Sequence, residues 1–153
     1  MEDSAQRRLV RGRSIFDRVD PTGGDALLSQ LSEVAPDFAE LVLGFVYGDI
    51  YDRSTLPLRE RQLIRLAVLA ALDPGPTTLR ANIGAAVHIG IPAEHIAEVF
   101  IQCLPYIGFP RVINALTVAQ QFLADTDSPG DGASETPEAD RPRPKPTTTT
   151  GKG

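Results

Sequence analysis

Cysteine is nearly absent from this chain: Cys103 is the only one in 153 residues. A lone thiol excludes an intramolecular disulfide, a CxxC redox pair and a thiolate zinc site. Cys103 falls on an apolar helix face and reads as a small buried hydrophobe. Long apolar runs are missing as well. The longest, Leu66 to Leu72, falls far short of the ~20 residues that cross a bilayer, and the opening MEDSAQRRLV has no stretch of signal-peptide length. A soluble, cytoplasmic protein with no membrane contact is the expectation. An excess of positive charge is lacking too: 15 basic against 20 acidic side chains give a formal charge of −5. Nucleic acid and anionic membrane surfaces require a clustered positive field, so neither is expected as a partner. Five arginines between Arg7 and Arg18 form the one basic cluster. With no aromatic or Lys-rich continuation, they read as a solvated N-terminal face.

Sustained period-two alternation is absent, so no strand is predicted and the body reads as all-α. Helices are predicted over Ser4 to Asp17, Ala26 to Val34, Pro36 to Asp49, Leu58 to Leu72, Thr77 to Ile89, a segment starting at Pro92, and Pro110 to Leu123. PTGG at Pro21 to Gly24 and DPGP at Asp73 to Pro76 are the breaks between them. Gly90 stops a helix as a plausible C′ residue, and Pro92 opens the next with Glu94 favouring its dipole. Gly44 and Gly48, four apart on one helix, allow close approach of a backbone or a ligand.

The Leu58 to Ile89 hairpin is the greasiest part of the chain. Its first helix reads as apolar nearly all round, which implies burial on two sides, either within the subunit or between subunits. A chain of this size can hardly bury it alone. The composition shifts at Asp125: DTDSPGDGASETPEADRPRPKPTTTTGKG holds five prolines, four glycines and no aliphatic residue larger than alanine. Such a segment cannot offset its ordering entropy. The expected organisation is therefore a helical domain over 1–124 and a disordered tail over 125–153.

Several segments, in order and spacing, carry a resemblance. FAELVLGFVYGDIYDRSTLPLRERQLIRLAVLAAL, the LR of Leu79 and Arg80, Gly90 followed by IPAEHIAEVF, and YIGFPRVINAL together resemble the carboxymuconolactone decarboxylase family, from about Phe16 to Phe122. The resemblance implies an all-helical fold assembling into trimers or hexamers, with the hairpin's second face covered by a neighbouring subunit and the active site beside it. It implies one of two chemistries: decarboxylation of a carboxylated lactone, or peroxide-linked disulfide reduction by a CxxC pair with a histidine. The interval Asp73 to Ala85, DPGPTTLRANIGA, has no thiol, which disfavours the reductase. The decarboxylase branch implies a histidine eight residues before Gly90, where this chain has Asn82. His88 lies six residues later, roughly 120° around an ideal helix, and cannot simply inherit that role.

Decarboxylation needs the carboxylate held, the developing negative charge met by hydrogen-bond donors, and a proton returned. Asn82 can donate to such an oxygen but cannot act as the acid; the plainer reading is a helix-surface asparagine. Arg65 interrupts an apolar run and suits a carboxylate ligand or an interfacial salt bridge. Arg80 is the other possible anchor, or a solvated helix-start arginine. His88 carries an imidazole, a side chain suited to proton transfer, although a histidine near a helix C-terminus is often a dipole contact. Tyr47 and Tyr51 can donate phenolic protons into a pocket opened by Gly48, or simply pack as aromatics. The reading is a lyase or isomerase, free of cofactor and metal, acting on a small or polycyclic carboxylated or lactone-like metabolite. A catalytically silent oligomer that binds a ligand or partner enzyme is the alternative, ahead of the reductase.

Overall fold

The computed structural model describes residues 2–20 and 24–127. The expected turn over 21–24 lies mostly outside the described residues, as does the tail from residue 128. Helices α1 (Glu2–Val19), α2 (Gly24–Ser32) and α3 (Phe38–Leu41) are followed without a break by a π-helix (Val42–Tyr51). Then come α4 (Leu58–Leu72), α5 (Pro76–His88), α6 (Ala93–Ile107) and α7 (Phe109–Asp127). No strand occurs among the described residues, so the all-α expectation holds.

The punctuation read from sequence falls where the helices end. Asp73 takes a left-handed conformation (φ 52°) after α4, and Pro76 occupies the first turn of α5, where its missing N–H costs nothing. Gly90 has φ 82°, a value glycine adopts without a Cβ clash, and so closes α5. The last helix runs to Asp127 rather than to Leu123.

The segment expected as one regular helix from Pro36 to Asp49 is different. It starts as a single α-turn and widens to i→i+5 hydrogen bonding from Val42. Apolar residues three and four apart do not distinguish the two geometries. This stretch is set by tertiary contact with α1, where the backbones cross at glycines on both sides. A Cβ on Gly12 would overlap the Leu43 carbonyl oxygen, and one on Gly48 would stand 2.5 Å from the Arg8 carbonyl oxygen. Gly44 and Gly48 thus serve the close approach expected of them, with α1 as the approaching element.

Arginines of α1 tie the same crossing at its edges. Arg8 pairs with Asp49 at 3.3 Å, Arg11 with Asp52 at 2.9 Å, and Arg13 makes two parallel 2.7 Å hydrogen bonds to Asp25 of α2. The basic cluster expected as a solvated face is therefore partly a set of clamps. Each exposed pair contributes little alone, but together they orient α2 and the π-helix.

Two cores result. The larger joins α4 to α7 around Leu66, Ile83, Ile96, Phe100 and Ala115; the smaller joins α1, α2 and the π-helix around Phe16, Val19, Leu28 and Tyr47, with Ala85 of α5 reaching into it. Along α4 the buried line is Gln62, Leu66, Ala70, at i, i+4, i+8. On the far side Ile64, Val68 and Leu72 remain 51%, 50% and 69% exposed. A single chain therefore leaves one apolar face of the hairpin in water.

Candidate functional site

The seam between the two cores holds the polar chemistry. Gln62, in the buried line of α4, is 0% exposed. An amide there must satisfy its own groups. Its Nε2 donates to the backbone carbonyl of Asn82 at 3.2 Å, and its Oε1 accepts a long 3.5 Å contact from the Tyr51 hydroxyl. One side chain thus links α4, α5 and the π-helix. Sequence reasoning passed over Gln62, although its spacing from Leu66 and Ala70 placed it on the inward line.

Arg65, nearly one turn further along α4, is half-buried, and its Nη1 donates to the Tyr47 hydroxyl at 3.0 Å. Among the described residues no carboxylate lies within 4.0 Å of its guanidinium. Burial works against the Arg65 cation, but the facing oxygens of Tyr47 and Tyr51 more than offset it, and the net effect favours the charged form. Burial raises the Tyr51 phenol above its ordinary value, with the Arg65 charge opposing, so the hydroxyl stays protonated at neutral pH. Phe16 meets the Tyr47 ring edge-on at 5.1 Å, and Tyr51 leans on its other side at 5.0 Å. Aromatic packing and phenolic chemistry are both served by these tyrosines.

Asn82 is 8% exposed. It spends one N–H on the carbonyl of Thr78, one turn back, at 2.8 Å. Its second N–H and its carbonyl oxygen are left for the cavity it lines. That cavity, of about 260 Å³, has Tyr47, Arg65 and Asn82 on its polar side, Asp20 at its edge, and Phe16, Leu28 and Val46 among its apolar walls. Three of the sequence candidates are thereby brought together by α4, α5 and the π-helix.

The other three are elsewhere. Tyr51, although its ring leans on Tyr47, lines a second groove of about 360 Å³ that shares Arg65 and Val46 with the first cavity and is bounded by Ile64 and Val68. Arg80 and His88 line a third cavity of about 560 Å³ between α2, α5 and α7. Arg80 is engaged there: its Nη2 is 2.8 Å from Asp125, and its guanidinium lies 5.2 Å over the Phe122 ring. His88 is exposed at the end of α5. Cys103 is half-buried, and desolvation raises its thiol pKa, which makes it a poor thiolate.

Among the described residues, all in helices or the turns between them, Arg65 is a half-buried cation beside a phenol in a cavity that an amide also lines, a setting suited to an organic anion. Residues 36–121 match the model of the Carboxymuconolactone decarboxylase family, and the chain belongs to that family. It is also similar to the 4-carboxymuconolactone decarboxylase of Acinetobacter baylyi (strain ADP1), 29% identical over 98 residues, which cover 64% of this chain and 72% of that protein. The matched region runs from the turn before α3 into α7 and contains Tyr47, Arg65 and Asn82. A decarboxylase-like function is supported at the level of the family.

Proposed function

We propose that this protein is a lyase that decarboxylates a carboxylated, lactone-like metabolite in the cavity walled by Tyr47, Arg65 and Asn82. The observation that carries the reading is Arg65: a half-buried guanidinium bonded to a phenol, with no carboxylate within 4.0 Å of it among the described residues, at the wall of a cavity of about 260 Å³. Such a cation is stabilised by an anionic ligand.

The geometry supports a definite division of labour. Arg65 receives the substrate carboxylate with the donors that do not face Tyr47. As the carbon–carbon bond breaks, carbon dioxide leaves and the electron pair passes to the conjugated carbonyl of the lactone. Its oxygen becomes an enolate and meets the remaining N–H of Asn82. Because the Tyr47 oxygen accepts from Arg65, its own hydrogen is free to move to the carbanion carbon. The tyrosinate left behind sits 3.0 Å from the guanidinium and is reprotonated from water. Arg65 then stabilises charge that grows along the reaction, which is what raises a rate rather than only an affinity.

The neighbouring subunit enters the same proposal. The exposed Ile64, Val68, Leu72 stripe of α4 supports a homo-oligomer formed through the hairpin, a trimer or hexamer, with the Tyr51 groove beneath it.

A binding-only oligomer is the second reading, favoured by one observation: the cavity of Arg65 contains no imidazole, since His88 opens on another space. Incubation with carboxylated lactones of one to three rings, 4-carboxymuconolactone among them, following carbon dioxide release, separates the two. Turnover that falls in Arg65→Met supports the lyase. Binding that depends on Arg65 with no release of carbon dioxide leaves the silent oligomer, and neither binding nor turnover removes both.

A further inference from the structure

We infer that the substrate is an elongated monoanion, at least two fused rings long, whose carboxylate sits at Arg65 and whose apolar body passes between Leu27 and Ala81 into the cavity of Arg80 and His88. This rests on the reading of Arg65 as the anion anchor and extends it to substrate size and charge.

Volume is the first argument. The inner cavity, about 260 Å³, is below the range of roughly 300–1,000 Å³ typical of sites that enclose a whole small-molecule ligand. The outer one, about 560 Å³, lies within that range but offers no unengaged cation. Neither makes a satisfying site alone.

The wall between them is the second. Both cavities are bounded by the same residues: Asp20, Gly24, Leu27, Ala81 and Ala85. Three of these have a methyl group or no side chain. Leu27, the one bulky member, is 55% exposed and free to change rotamer. Gly24 cannot be enlarged, since a Cβ would collide with the Phe16 ring and approach the Asp20 carboxylate to 3.1 Å. The partition is thin because Gly24, Ala81 and Ala85 make up most of it.

Charge is the third. Beyond the partition the cationic Arg80 is already matched by Asp125 at 2.8 Å, and Asp20 stands at the partition itself. A second carboxylate on the substrate would meet no unpaired arginine or lysine there and would lose its water without a cation to replace it. The Phe122 ring and the Val19 side chain instead suit an apolar or aromatic body.

Titration calorimetry of the full chain with benzoate, 2-naphthoate, anthracene-2-carboxylate and naphthalene-2,6-dicarboxylate tests this. Each added fused ring is expected to lower Kd about tenfold, the gain from burying its apolar surface. The dicarboxylate should bind at least about tenfold more weakly than 2-naphthoate. In Ala81→Phe, which fills the partition from an exposed position of α5, the ratio of Kd between one and three rings should collapse towards unity. Leu27→Trp supplies the same block from α2 should the first variant not fold. A Kd independent of ring number, a dicarboxylate that binds as tightly as 2-naphthoate, or a ring-number gain that survives both blocks overturns the inference. In those cases benzoate binding that is lost in Arg65→Met would leave the anion site standing. Benzoate binding indifferent to Arg65, or no binding of any probe, overturns that underlying reading as well.

Discussion

Arg65 donates to the Tyr47 hydroxyl at 3.0 Å across a sequence separation of 18 residues, and both side chains line the same cavity. The phenol oxygen is thereby committed as an acceptor, which leaves its hydrogen as the one proton in this wall that can be given to a carbanion. Tyr47→Phe should lower kcat by about 10²-fold or more with little change in KM, the scale of a lost general acid. Arg65→Met should raise KM and lower kcat together. Because one acts through the other, the double variant should be little worse than Arg65→Met alone, a non-additivity that steady-state kinetics on the three variants would read. Full additivity would mean that the two residues work independently.

Gln62 sets the frame in which those groups stand. Gln62→Leu keeps the approximate size but removes the acceptor for Tyr51 and the donor to the Asn82 carbonyl. Leaving these buried partners unpaired should cost about 1–3 kcal/mol, measured as a lower urea midpoint at unchanged slope. An equally stable variant would show that the amide is dispensable to the junction of α4, α5 and the π-helix.

Tyr51 makes a prediction in pH. Burial raises its pKa in the folded chain, with Arg65 opposing, while the unfolded phenol titrates near its ordinary value of about 10. Folding thus favours the protonated phenol. Its contribution is fully present below pH ~10 and is lost as pH rises through the folded value. Urea unfolding between pH 8 and 11 should therefore show a steeper alkaline loss for the wild type than for Tyr51→Phe. Parallel curves would contradict the buried phenol.

Much of this molecule was legible from residue order. The DPGP break, the closing Gly90 and the apolar spacing of α4 to α7 each have a local cause, and each fell where it was expected. The π-helix was not legible, because Phe38, Leu41, Val42, Phe45 and Val46 recur equally well in a regular helix. Its geometry follows contact with α1, which no local pattern announces. Gly12 was missed for the same reason: its partner, Leu43, is remote in sequence. In the site, residue type marked Tyr47, Arg65 and Asn82, but not that they share a cavity while Arg80 and His88 line another. That sorting depends on where α2 is placed, which is held in part by the Arg13–Asp25 clamp.

The glycine crossing can be tested on its own. Gly12→Ala puts a methyl group into the Leu43 carbonyl, with backbone on both sides and no flexible side chain to yield. The cost should be at least the about 1–3 kcal/mol of an overpacked core, seen as a lower Tm. If α1 simply swings away, the Tyr47 ring loses its edge contact with Phe16, and ligand affinity should fall with stability. An unchanged Tm would mean that the two helices do not cross this closely.

Asn82 offers the sharpest separation between catalysis and structure. Its side chain bonds the Thr78 carbonyl within the same helix, an arrangement that adds little to a helix interior, and alanine has the better helix propensity. Asn82→Ala should therefore be close to neutral in stability. If the second N–H meets the developing enolate, the same variant should lose about 10²-fold in kcat with KM largely kept, as for a removed oxyanion donor. The informative result is this split, since a purely structural asparagine would move stability, or nothing, and leave kcat alone. Asn82→His carries the argument further, because it places an imidazole beside Tyr47 and Arg65 in a cavity that has none. A second acidic limb in the pH–rate profile, absent from the wild type, would show that the new group shares the proton transfer with Tyr47. Unchanged turnover in Asn82→Ala would instead show that the enolate oxygen draws no stabilisation from this amide and would confine Asn82 to shaping the cavity wall.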